Sequence, residues 1–523
     1  MAGELRRQTL GDLLTRTAAR MPDKTAVICG DTAWTYARLE GICSALAAAL
    51  ARHGVGEGDR VAVLSRNSHA VVALRFALAR RGAVLVPINF MLNREEIGYI
   101  LDHSGAKWLC VDSEHAGTGQ RAAAGTGVEE LLWLPGEHPS EPVPAMRNFR
   151  ELADAPGSPP GTGIHGGSLA QIIYTSGTES HPKGAMLSHE AVIWQYVSCV
   201  VDIEIEARDN ILHALPLYHC AQLDVYLGPG IYVGAGHVIT ARPDPDNLLQ
   251  LMERHRINSF FAPPTVWIGL LRSQRFEATD LSTLEKGYYG ASAMPVEILR
   301  EIQDRLPALR LWNCYGQTEI APLAVVLKPE DQLRKAGAAG RPVINVETRV
   351  VDDEGTDVAA GQIGEIVHRS PQLLDGYYRD EGKTREAFRG GWFHSGDLAV
   401  VDDEGYIRVV DRKKDMIKTG GENVASREVE EVVYQLPQVA EVAVIGLPDA
   451  RWVEAVTAVV VRRRDSELTE AQVVDHCARV MAPFKVPKRV YFVDALPKNP
   501  SGKILKRDLR SVFREKSGAG AEG

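Results

Sequence analysis

The segment Tyr174-Thr-Ser-Gly-Thr-Glu-Ser-His-Pro-Lys-Gly184 follows the apolar run 170–173 and is the strongest local signal in the sequence. A strand that leads into hydroxyls, glycines and a lysine can surround phosphate oxygens with backbone N–H groups and one positive charge. The segment is not a Walker loop, because Pro182 precedes the lysine and Gly184 follows it. These residues alone leave two readings open, a phosphate-binding loop and an ordinary polar loop.

Helix-like and strand-like segments alternate around this loop. Residues 34–53 and 71–80 have the apolar spacing of helices, whereas residues 59–66 and 83–87 have the character of short strands. Such alternation predicts α/β layers with a largely parallel sheet. The Pro- and Gly-rich residues 137–167 are expected to form a surface connection between two α/β halves.

A second break lies at the charged residues 411–415. Beyond it, helical and strand-like patterns predict a compact α+β unit; they cover residues 428–436, 441–445, 456–461 and 470–481. We therefore expect a large N-terminal domain of layered sheets and helices, residues 1–411, and a small, mobile α+β domain, residues 412–523.

Composition narrows the class of protein. The 523 residues include 59 Lys and Arg against 68 Asp and Glu, a net charge of -9, which does not indicate a nucleic-acid binder. Seven scattered cysteines without a Cys-x-x-Cys pair fit neither a disulfide framework nor a zinc site, and they favour the cytoplasm. No apolar window of about 18 residues predicts a membrane span. A homodimer is left open.

Three further segments carry chemically useful side chains, and each has an ordinary alternative. Tyr315-Gly-Gln-Thr-Glu319 could stack on a base, contact phosphate and hold Mg²⁺, or could simply cap a helix. Trp392-Phe-His-Ser-Gly-Asp397, with Arg412, could bind ribose hydroxyls or form a turn. Pro497-Lys-Asn-Pro-Ser-Gly-Lys503 could present a catalytic lysine or an ordinary surface lysine.

Taken together, in this order and at these separations, the four segments resemble one superfamily of adenylate-forming enzymes. Its members are acyl-CoA synthetases, nonribosomal peptide synthetase adenylation domains and beetle luciferases. The resemblance extends from about residue 10 to residue 510. Further matching segments are Pro216-Leu-Tyr-His219, Tyr289-Gly-Ala-Ser292, residues 337–342, Gly364-Glu365, Gly376-Tyr-Tyr378 and residues 418–422.

The resemblance implies ATP, Mg²⁺ and coenzyme A as ligands. The residues that would hold the β- and γ-phosphates of ATP are Thr175, Ser176, Gly177, Thr178 and Lys183. Adenine would lie against Tyr315, Gly290 and Ala291, and the ribose against Asp397 and Arg412. Thr318 would contact the α-phosphate, and Glu319 and Thr178 would bind Mg²⁺.

The resemblance also implies the reaction. Lys503 would join the substrate carboxylate to the α-phosphate, and His219 would lie near the reacting carboxylate and the thiol channel. Rotation about Lys414 would then withdraw Lys503 and bring Lys418, Gly420 and Gly421 to the site for the thiol step. The implied function is an ATP-dependent carboxylic acid–CoA ligase that releases AMP and pyrophosphate.

Two departures from the family pattern bear on activity. Glu179 and Ser180 stand where relatives usually carry Thr-Gly, and a carboxylate beside triphosphate is expected to weaken ATP binding. At the extreme, the protein would only transfer a preformed acyl-adenylate to thiol. Cys220 stands where amino-acid-activating members carry Asp, although Asp224 is close by.

The acid that the enzyme uses is expected to be hydrophobic. The candidate pocket segments 192–200, 224–233 and 260–271 are mostly apolar and aromatic, which suits a fatty, aryl or polycyclic acid. A luciferase-like monooxygenase would share every ATP residue, so it remains an alternative. A non-catalytic nucleotide sensor is another, although Lys503 has no purpose in a pure sensor.

Overall fold

The computed structural model describes residues 7–158, 161, 163–175, 182–290, 294–449, 451–464, 466–498 and 504–518. Contacts divide the chain into two units. The first comprises Met1–Glu347 and Arg369–Phe393, and the second comprises Thr348–His368 and His394–Gly523. The predicted fold class, a large α/β N-terminal domain followed by a smaller α+β domain, is confirmed. The predicted boundary at residue 412 and the predicted hinge at Lys414 say where the small domain rotates, and both stay predictions.

The strands are numbered in chain order. They are β1 (Thr25–Cys29), β2 (Thr32–Thr35), β3 (Arg60–Leu64), β4 (Val84–Pro87), β5 (Trp108–Asp112), β6 (Glu130–Leu134), β7 (Arg147–Asn148), β8 (Leu169–Thr175), β9 (Lys183–Ser188), β10 (Asn210–His213), β11 (Gly236–Ile239), β12 (Ser259–Phe261), β13 (Lys286–Gly290), β14 (Arg310–Gly316), β15 (Leu323–Leu327), β16 (Arg341–Pro342), β17 (Glu347–Val351), β18 (Gly364–Arg369), β19 (Gly376–Tyr377), β20 (Phe388–Arg389), β21 (Trp392–Val401), β22 (Ile407–Arg412), β23 (Ile417–Thr419), β24 (Glu422–Val424), β25 (Val439–Asp449), β26 (Val453–Arg462) and β27 (Arg489–Val493).

Helices connect most of these strands. The α-helices are Leu10–Arg20, Tyr36–Arg52, His69–Arg81, Arg94–Ser104, Ala116–Ala123, Phe149–Ala153, His189–Asp202, Gly228–Val233, Pro245–Arg254, Pro264–Arg272, Val296–Arg305, Glu381–Ala387, Ser426–Val433, Glu470–Val480 and Lys506–Gly518. Ala221–Leu227 is a π-helix, and the 3₁₀ turns are Phe276–Ala278, Thr318–Ile320 and Pro329–Asp331.

The first unit holds two large sheets among its described residues. One has the order β16-β15-β14-β13-β12-β10-β11-β1-β2, and the other β19-β9-β8-β4-β3-β5-β6-β7. In the first sheet, the neighbouring strands β10, β12, β13 and β14 are parallel. In the second sheet, the neighbouring strands β8, β4, β3, β5, β6 and β7 are parallel. Because ligands of α/β sheets bind beyond the carboxyl ends of parallel strands, the ends of β8, β13 and β14 are natural positions for a site.

Side-chain caps explain several helix boundaries. Ser68 accepts a hydrogen bond from the backbone of Val71 at the start of helix His69–Arg81, and that helix ends at Gly82, whose φ is 76°. A polar cap of this kind stabilises a helix by about 1 kcal/mol. Most of the helix is buried on every side, which explains why its apolar periodicity in the sequence is weak.

Two predictions about the first unit are wrong in detail. Trp34 lies in β2 rather than in a helix, because the helix begins at Tyr36, after Thr35 caps it through a hydrogen bond from Arg38 N. Residues 137–167 contain β7 and the helix Phe149–Ala153, so they are not wholly irregular. They also join β6 and β8, which belong to one sheet rather than to two halves.

The second unit is built around two smaller sheets. Strands β18 and β22 flank β21 in one, with β17 beyond β18, and the other has the order β24-β23-β26-β25 with β27 on β26. Valines alternate along the β25–β26 hairpin, where Val442 pairs with Val460 and Val444 with Ala458. Helices Ser426–Val433 and Glu470–Val480 place Val429 and Val473 against these strands. This arrangement confirms the predicted α+β character.

Candidate active site

The predicted phosphate loop is the connection of an antiparallel hairpin. Thr175 ends β8 and pairs with Lys183, the first residue of β9. Gly184 permits the two strands to approach this closely, because a Cβ there would lie 2.7 Å from Ile172 Cγ2 and 3.3 Å from the Tyr174 ring. Ser176, Gly177 and Thr178 lie outside the described residues. The structure therefore places Thr175 and Lys183 opposite each other at the base of the predicted loop.

The predicted adenine-binding residues lie on two adjacent parallel strands. Gly290 at the end of β13 pairs with Cys314 of β14, and Tyr315 follows directly. A Cβ on Gly290 would lie 2.5 Å from the carbonyl oxygen of Cys314, so only glycine fits there without moving the backbone. Ala291 lies outside the described residues. Gly290 and Tyr315 are thus brought together at the carboxyl ends of their strands.

Thr318 and Glu319 lie just beyond β14, in the 3₁₀ turn Thr318–Ile320. Thr318 is 9% exposed, and its hydroxyl lies 3.2 Å from Cys220 Sγ. Burial raises the pKa of the Cys220 thiol to about 12, so the sulfur carries its proton at neutral pH. The contact is therefore between two neutral groups, and it ties the turn to the segment that follows His219.

Tyr377 contacts Lys183, a predicted phosphate ligand, and Glu319, a predicted Mg²⁺ ligand. The sequence analysis assigned no role to Tyr377. Its hydroxyl donates a hydrogen bond of 3.0 Å to Glu319 Oε1. Lys183 Nζ lies 5.4 Å from the centre of its ring. Strand β19 carries Tyr377 to this position by pairing with Ala185 of β9. The only sequence signal was the family-like Gly376-Tyr-Tyr378 segment.

His219 begins a tight local structure. Its backbone N–H donates to Pro216 O, and its Nδ1 accepts a hydrogen bond of 3.1 Å from the backbone of Ala221. An acceptor at Nδ1 means that the imidazole is neutral with its proton on Nε2. The π-helix Ala221–Leu227 follows at once. Helices of this type occur mostly as single turns and often at functional sites.

Asp224 of the π-helix does not resemble an ammonium-binding carboxylate. Its Oδ1 accepts bonds from Arg75 at 2.8 Å and Tyr196 at 3.2 Å, and its Oδ2 accepts one from Gln171 at 2.7 Å. Its side chain is fully buried. Burial raises the pKa of the Asp224 carboxyl, and the charge of Arg75 opposes this rise.

The predicted acid-pocket segments come together in the first unit. Tyr226 stacks on Phe261 with ring centres 4.5 Å apart, and it lies 5.2 Å from Tyr288. Tyr196 reaches the same π-helix through its bond to Asp224. Trp267 donates to the carbonyl of Tyr288 at 3.0 Å. All of these side chains except Phe261 are at most 1% exposed, so the segments form a buried aromatic cluster.

The predicted ribose ligands face each other in the second unit. Asp397 of β21 pairs with Arg412 of β22, and Arg412 Nε lies 2.5 Å from Asp397 Oδ1. Glu365 accepts a hydrogen bond from Gly396 N and lies 3.2 Å from Lys413 Nζ. The carboxylate of Asp397 is almost completely buried, whereas Arg412 is about one-third exposed. The pair is therefore fixed in position by the strand register.

Lys418, Gly420 and Gly421 form a hairpin in the second unit. The two glycines connect β23 to β24 with φ values of 60° and 89°, as a type I′ turn requires. Lys418 N donates to Glu454 Oε2 at 2.7 Å, and Gly420 N to the carbonyl of Trp452 at 2.8 Å. Lys503 lies outside the described residues, between Lys498 and Ile504, which form an antiparallel bridge.

The residues present are compatible with Mg²⁺ bound together with nucleotide. Mg²⁺ is usually held by one or two carboxylates plus substrate phosphates rather than by an all-protein cage. Within the described ranges no cluster of three His, Cys, Asp or Glu side chains could hold a metal ion. Glu319 is a single carboxylate with one oxygen bonded to Tyr377.

None of the helices in the part of the chain that the structure describes has the length and apolar character needed to cross a bilayer.

Comparison with known families identifies the class of protein. Residues 14–378 match the model of the AMP-binding enzyme family, and residues 428–503 match the AMP-binding enzyme C-terminal domain. The chain therefore belongs to the AMP-binding enzyme family, and it is an acid–thiol ligase of the acyl-CoA synthetase class, as the resemblance implied. ATP and CoA are substrates of that class.

Individual relatives are similar over almost their whole length. A feruloyl-CoA synthase of Amycolatopsis sp is 38% identical, with 97% of this chain and 100% of the relative covered. A long-chain-fatty-acid–CoA ligase of Mycobacterium tuberculosis is 34% identical, with 97% and 99% covered. The crystal structure of the anthranilate CoA ligase AuaEII with anthranoyl-AMP is similar at a TM-score of 0.89 and 27% identity, with 98% of each chain covered.

Proposed function

We propose that the enzyme joins a hydrophobic carboxylic acid, of fatty or aryl type, to CoA by way of an acyl-adenylate. The environment of Asp224 carries this proposal. Asp224 is the one carboxylate in segments 192–200, 224–233 and 260–271, and Arg75, Gln171 and Tyr196 occupy both of its oxygens. These segments therefore offer no unbonded carboxylate to an amino-acid ammonium group.

The remaining side chains of these segments favour apolar substrates. Tyr226 stacks on Phe261 and Phe260 meets Trp267 edge-on, the offset and edge arrangements that aromatic rings prefer. The aliphatic side chains of Val192, Val225 and Ile231 in these segments are buried as well. The relatives named above include ligases of an aryl acid and of long-chain acids. Both chemical types are therefore retained in the proposal.

In the first half-reaction, a carboxylate oxygen of the acid attacks the α-phosphorus of ATP and pyrophosphate leaves. Two anions must approach each other, so positive charge has to be placed beside them. Lys183 would hold the phosphates at the base of the loop, and Lys503 would join the carboxylate to the α-phosphate. Thr318 would donate to an α-phosphate oxygen. Mg²⁺, held by Glu319 and Thr178 with the phosphates, would supply further positive charge.

Four of the predicted ligands would orient the nucleotide. Tyr315 would stack on the adenine, while Gly290 leaves room for it beside the strand end. Asp397 would accept hydrogen bonds from the ribose hydroxyls, with Arg412 holding the carboxylate in place. Because the bound substrates are already aligned, the reaction avoids the entropy cost of aligning three substrates in solution.

In the second half-reaction, the CoA thiol loses its proton to solvent and its sulfur bonds to the acyl carbon, while the bond between that carbon and the phosphate oxygen breaks and AMP leaves. We infer that rotation about Lys414 exchanges Lys503 for the hairpin of Lys418, Gly420 and Gly421. The neutral imidazole of His219 has a lone pair fixed at Nδ1 by Ala221, so its Nε2–H can orient the acyl group near the thiol.

The two half-reactions can be tested separately. We expect Lys503→Ala to reduce pyrophosphate release from acid and ATP by about 10²- to 10³-fold, the usual effect of removing one electrostatic contact to a transition state. The same variant should still form acyl-CoA from a supplied acyl-adenylate. Quenched-flow measurement with mass spectrometry follows both products.

Lys498→Ala is the matched control on the same connection. Lys498 forms an ion pair of 2.7 Å with Glu441, and its loss should leave both half-reactions within about twofold, because ion pairs that are partly open to solvent contribute little. Equal loss of both half-reactions in Lys503→Ala would contradict the assignment. An unmodified enzyme that uses acyl-adenylate but releases no pyrophosphate would instead show that the first half-reaction is lost, as expected if Glu179 and Ser180 impair adenylation.

A further inference from the structure

A buried ion pair lies under the predicted acid-binding segment. Arg75 Nη2 and Asp224 Oδ1 are 2.8 Å apart, and the two side chains are 2% and 0% exposed. Arg75 belongs to the helix His69–Arg81 and Asp224 to the π-helix Ala221–Leu227, 149 residues further along the chain. The pair therefore joins two elements that are distant in sequence.

Two more side chains complete a network around Asp224. Tyr196 OH donates to Oδ1 at 3.2 Å, and Gln171 Nε2 donates to Oδ2 at 2.7 Å. Gly228 at the end of the π-helix makes room for Tyr196, because a Cβ there would lie 2.0 Å from the tyrosine oxygen. Both carboxylate oxygens are thereby bonded, and the rotation of Asp224 is fixed.

The energy of such a pair does not by itself explain its presence. Removing two charges from water costs as much as their attraction returns, and apolar side chains of similar volume often stabilise a core equally well. A fully bonded pair fixes the relative orientation of its two side chains, and apolar packing does not. The network is therefore suited to fixing the geometry of the elements that it joins.

The elements that it joins carry the site. Asp224 follows His219 by five residues and precedes Tyr226 by two in the same segment. Tyr226 in turn stacks on Phe261, and its hydroxyl donates to Cys314 Sγ at 3.5 Å. Gln171 lies in β8, which pairs with β4 on one side and β9 on the other, so it anchors the network to a strand held in place on both sides. A change in the direction of Asp224 would be transmitted to both ends of the π-helix.

We propose that Arg75 and Asp224 are positioning residues for the acid: their ion pair sets the orientation of the π-helix and so of His219 and the aromatic cluster. This inference rests on the proposed function, because it concerns the acid of that reaction. It adds a pair of residues that do not contact the acid but determine which acid the site accepts.

The test replaces the whole pair, because Asp224→Asn alone leaves a buried arginine without its countercharge and can prevent folding. Arg75→Met/Asp224→Leu keeps the side-chain volumes similar and removes the ion pair that fixes their orientation. The matched control is Lys286→Met/Asp209→Leu, which removes a second buried pair of 2.9 Å with exposures of 2% and 0% in the same unit. Thermal unfolding confirms that each variant is folded.

Calorimetric binding of cinnamate and of decanoate is measured for all three proteins, together with the KM for ATP. We expect Arg75→Met/Asp224→Leu to weaken the better-bound acid by about tenfold or more, since displacement by about 1 Å has effects of this size. The KM for ATP should stay within about twofold, and the control should bind both acids as the unmodified enzyme does.

Three results would contradict these expectations in distinguishable ways. Unchanged acid binding in the folded Arg75→Met/Asp224→Leu variant would overturn the positioning role alone. Acid binding by the unmodified enzyme without acyl-CoA formation would overturn the proposed function, while the loss of binding in the variant would still support the positioning role. Binding of neither acid to the unmodified enzyme would overturn both.

Discussion

Tyr377 stands between a predicted phosphate-binding lysine and a predicted metal-binding carboxylate. Its hydroxyl bonds to Glu319, and Lys183 lies over its ring. Neither residue is near Tyr377 in the sequence, since Glu319 is 58 positions away. A motif search finds each residue separately, but only the pairing of β19 with β9 brings them together. The orientation of Glu319 is therefore a property of the fold.

Tyr377→Phe is expected to raise the Mg²⁺ concentration that gives half-maximal pyrophosphate release. A hydrogen bond to a charged group contributes about 1.5–3 kcal/mol, so the increase should be about tenfold at the lower end of that range. Titration of the adenylation half-reaction with Mg²⁺ measures it. Tyr378→Phe is the neighbouring control, and an equal increase in that variant would contradict a specific role for the Tyr377 hydroxyl.

The hairpin β23–β24 presents Lys418 through a turn that requires two residues with positive φ. We predict that Gly421→Ala, at φ 89°, slows acyl-CoA formation from acyl-adenylate and leaves pyrophosphate release unchanged. Alanine in the left-handed region costs about 1–2 kcal/mol, which is enough to displace the turn. Separate assays of the two half-reactions measure the ratio of their rates.

A second Gly-Gly turn gives a matched control for this prediction. Gly390 and Gly391 connect β20 to β21 with φ values of 58° and 77°, and a Cβ on Gly390, as on Gly421, would contact nothing within 4 Å. Gly390→Ala should lower the melting temperature to a similar extent without changing the ratio of the half-reactions. The same change of ratio in both variants would show only general destabilisation.

Regular elements were predictable where one physical signal dominated. Residues 71–80 and 83–87 are predominantly apolar, and the structure places a buried helix and β4 there. The π-helix Ala221–Leu227 was not predictable, because its apolar residues give no periodicity of their own and its geometry depends on Asp224 meeting Arg75. The short strand β7 was hidden for a similar reason, since its two residues are defined only by pairing with β6.

The four segments could be singled out from the sequence because each concentrates residues with few chemical roles, and the first two lie at the carboxyl ends of β8 and β14. Gly290 and Cys314, for example, proved to be neighbours that tolerate no side chain between them. The contacts among the segments were not predictable, because hydrogen bonds such as that of Tyr377 join residues far apart in the sequence. The roles of all the predicted site residues remain predictions from the resemblance, and Ser176, Gly177, Thr178, Ala291 and Lys503 also lie outside the described residues.

At the scale of the whole molecule, the proposed mechanism needs one hinge for two reactions. We predict that Lys414→Pro leaves adenylation close to normal and abolishes transfer to CoA, because proline fixes φ near −65° and prevents the backbone rotation. Lys414→Ala is the control, since it removes the side chain but leaves the backbone free. Loss of transfer in Lys414→Ala, with no further loss in Lys414→Pro, would contradict a hinge at this residue.

The deciding experiment on the proposed function follows AMP and acyl-CoA together by mass spectrometry. The purified enzyme is incubated with Mg²⁺-ATP, CoA and a panel of short-chain, long-chain, aryl and amino acids. The proposed function predicts equimolar AMP and acyl-CoA with at least one fatty or aryl acid and none with an amino acid. AMP formed only with amino acids, or no product from any acid even when acyl-adenylate is supplied, would contradict it.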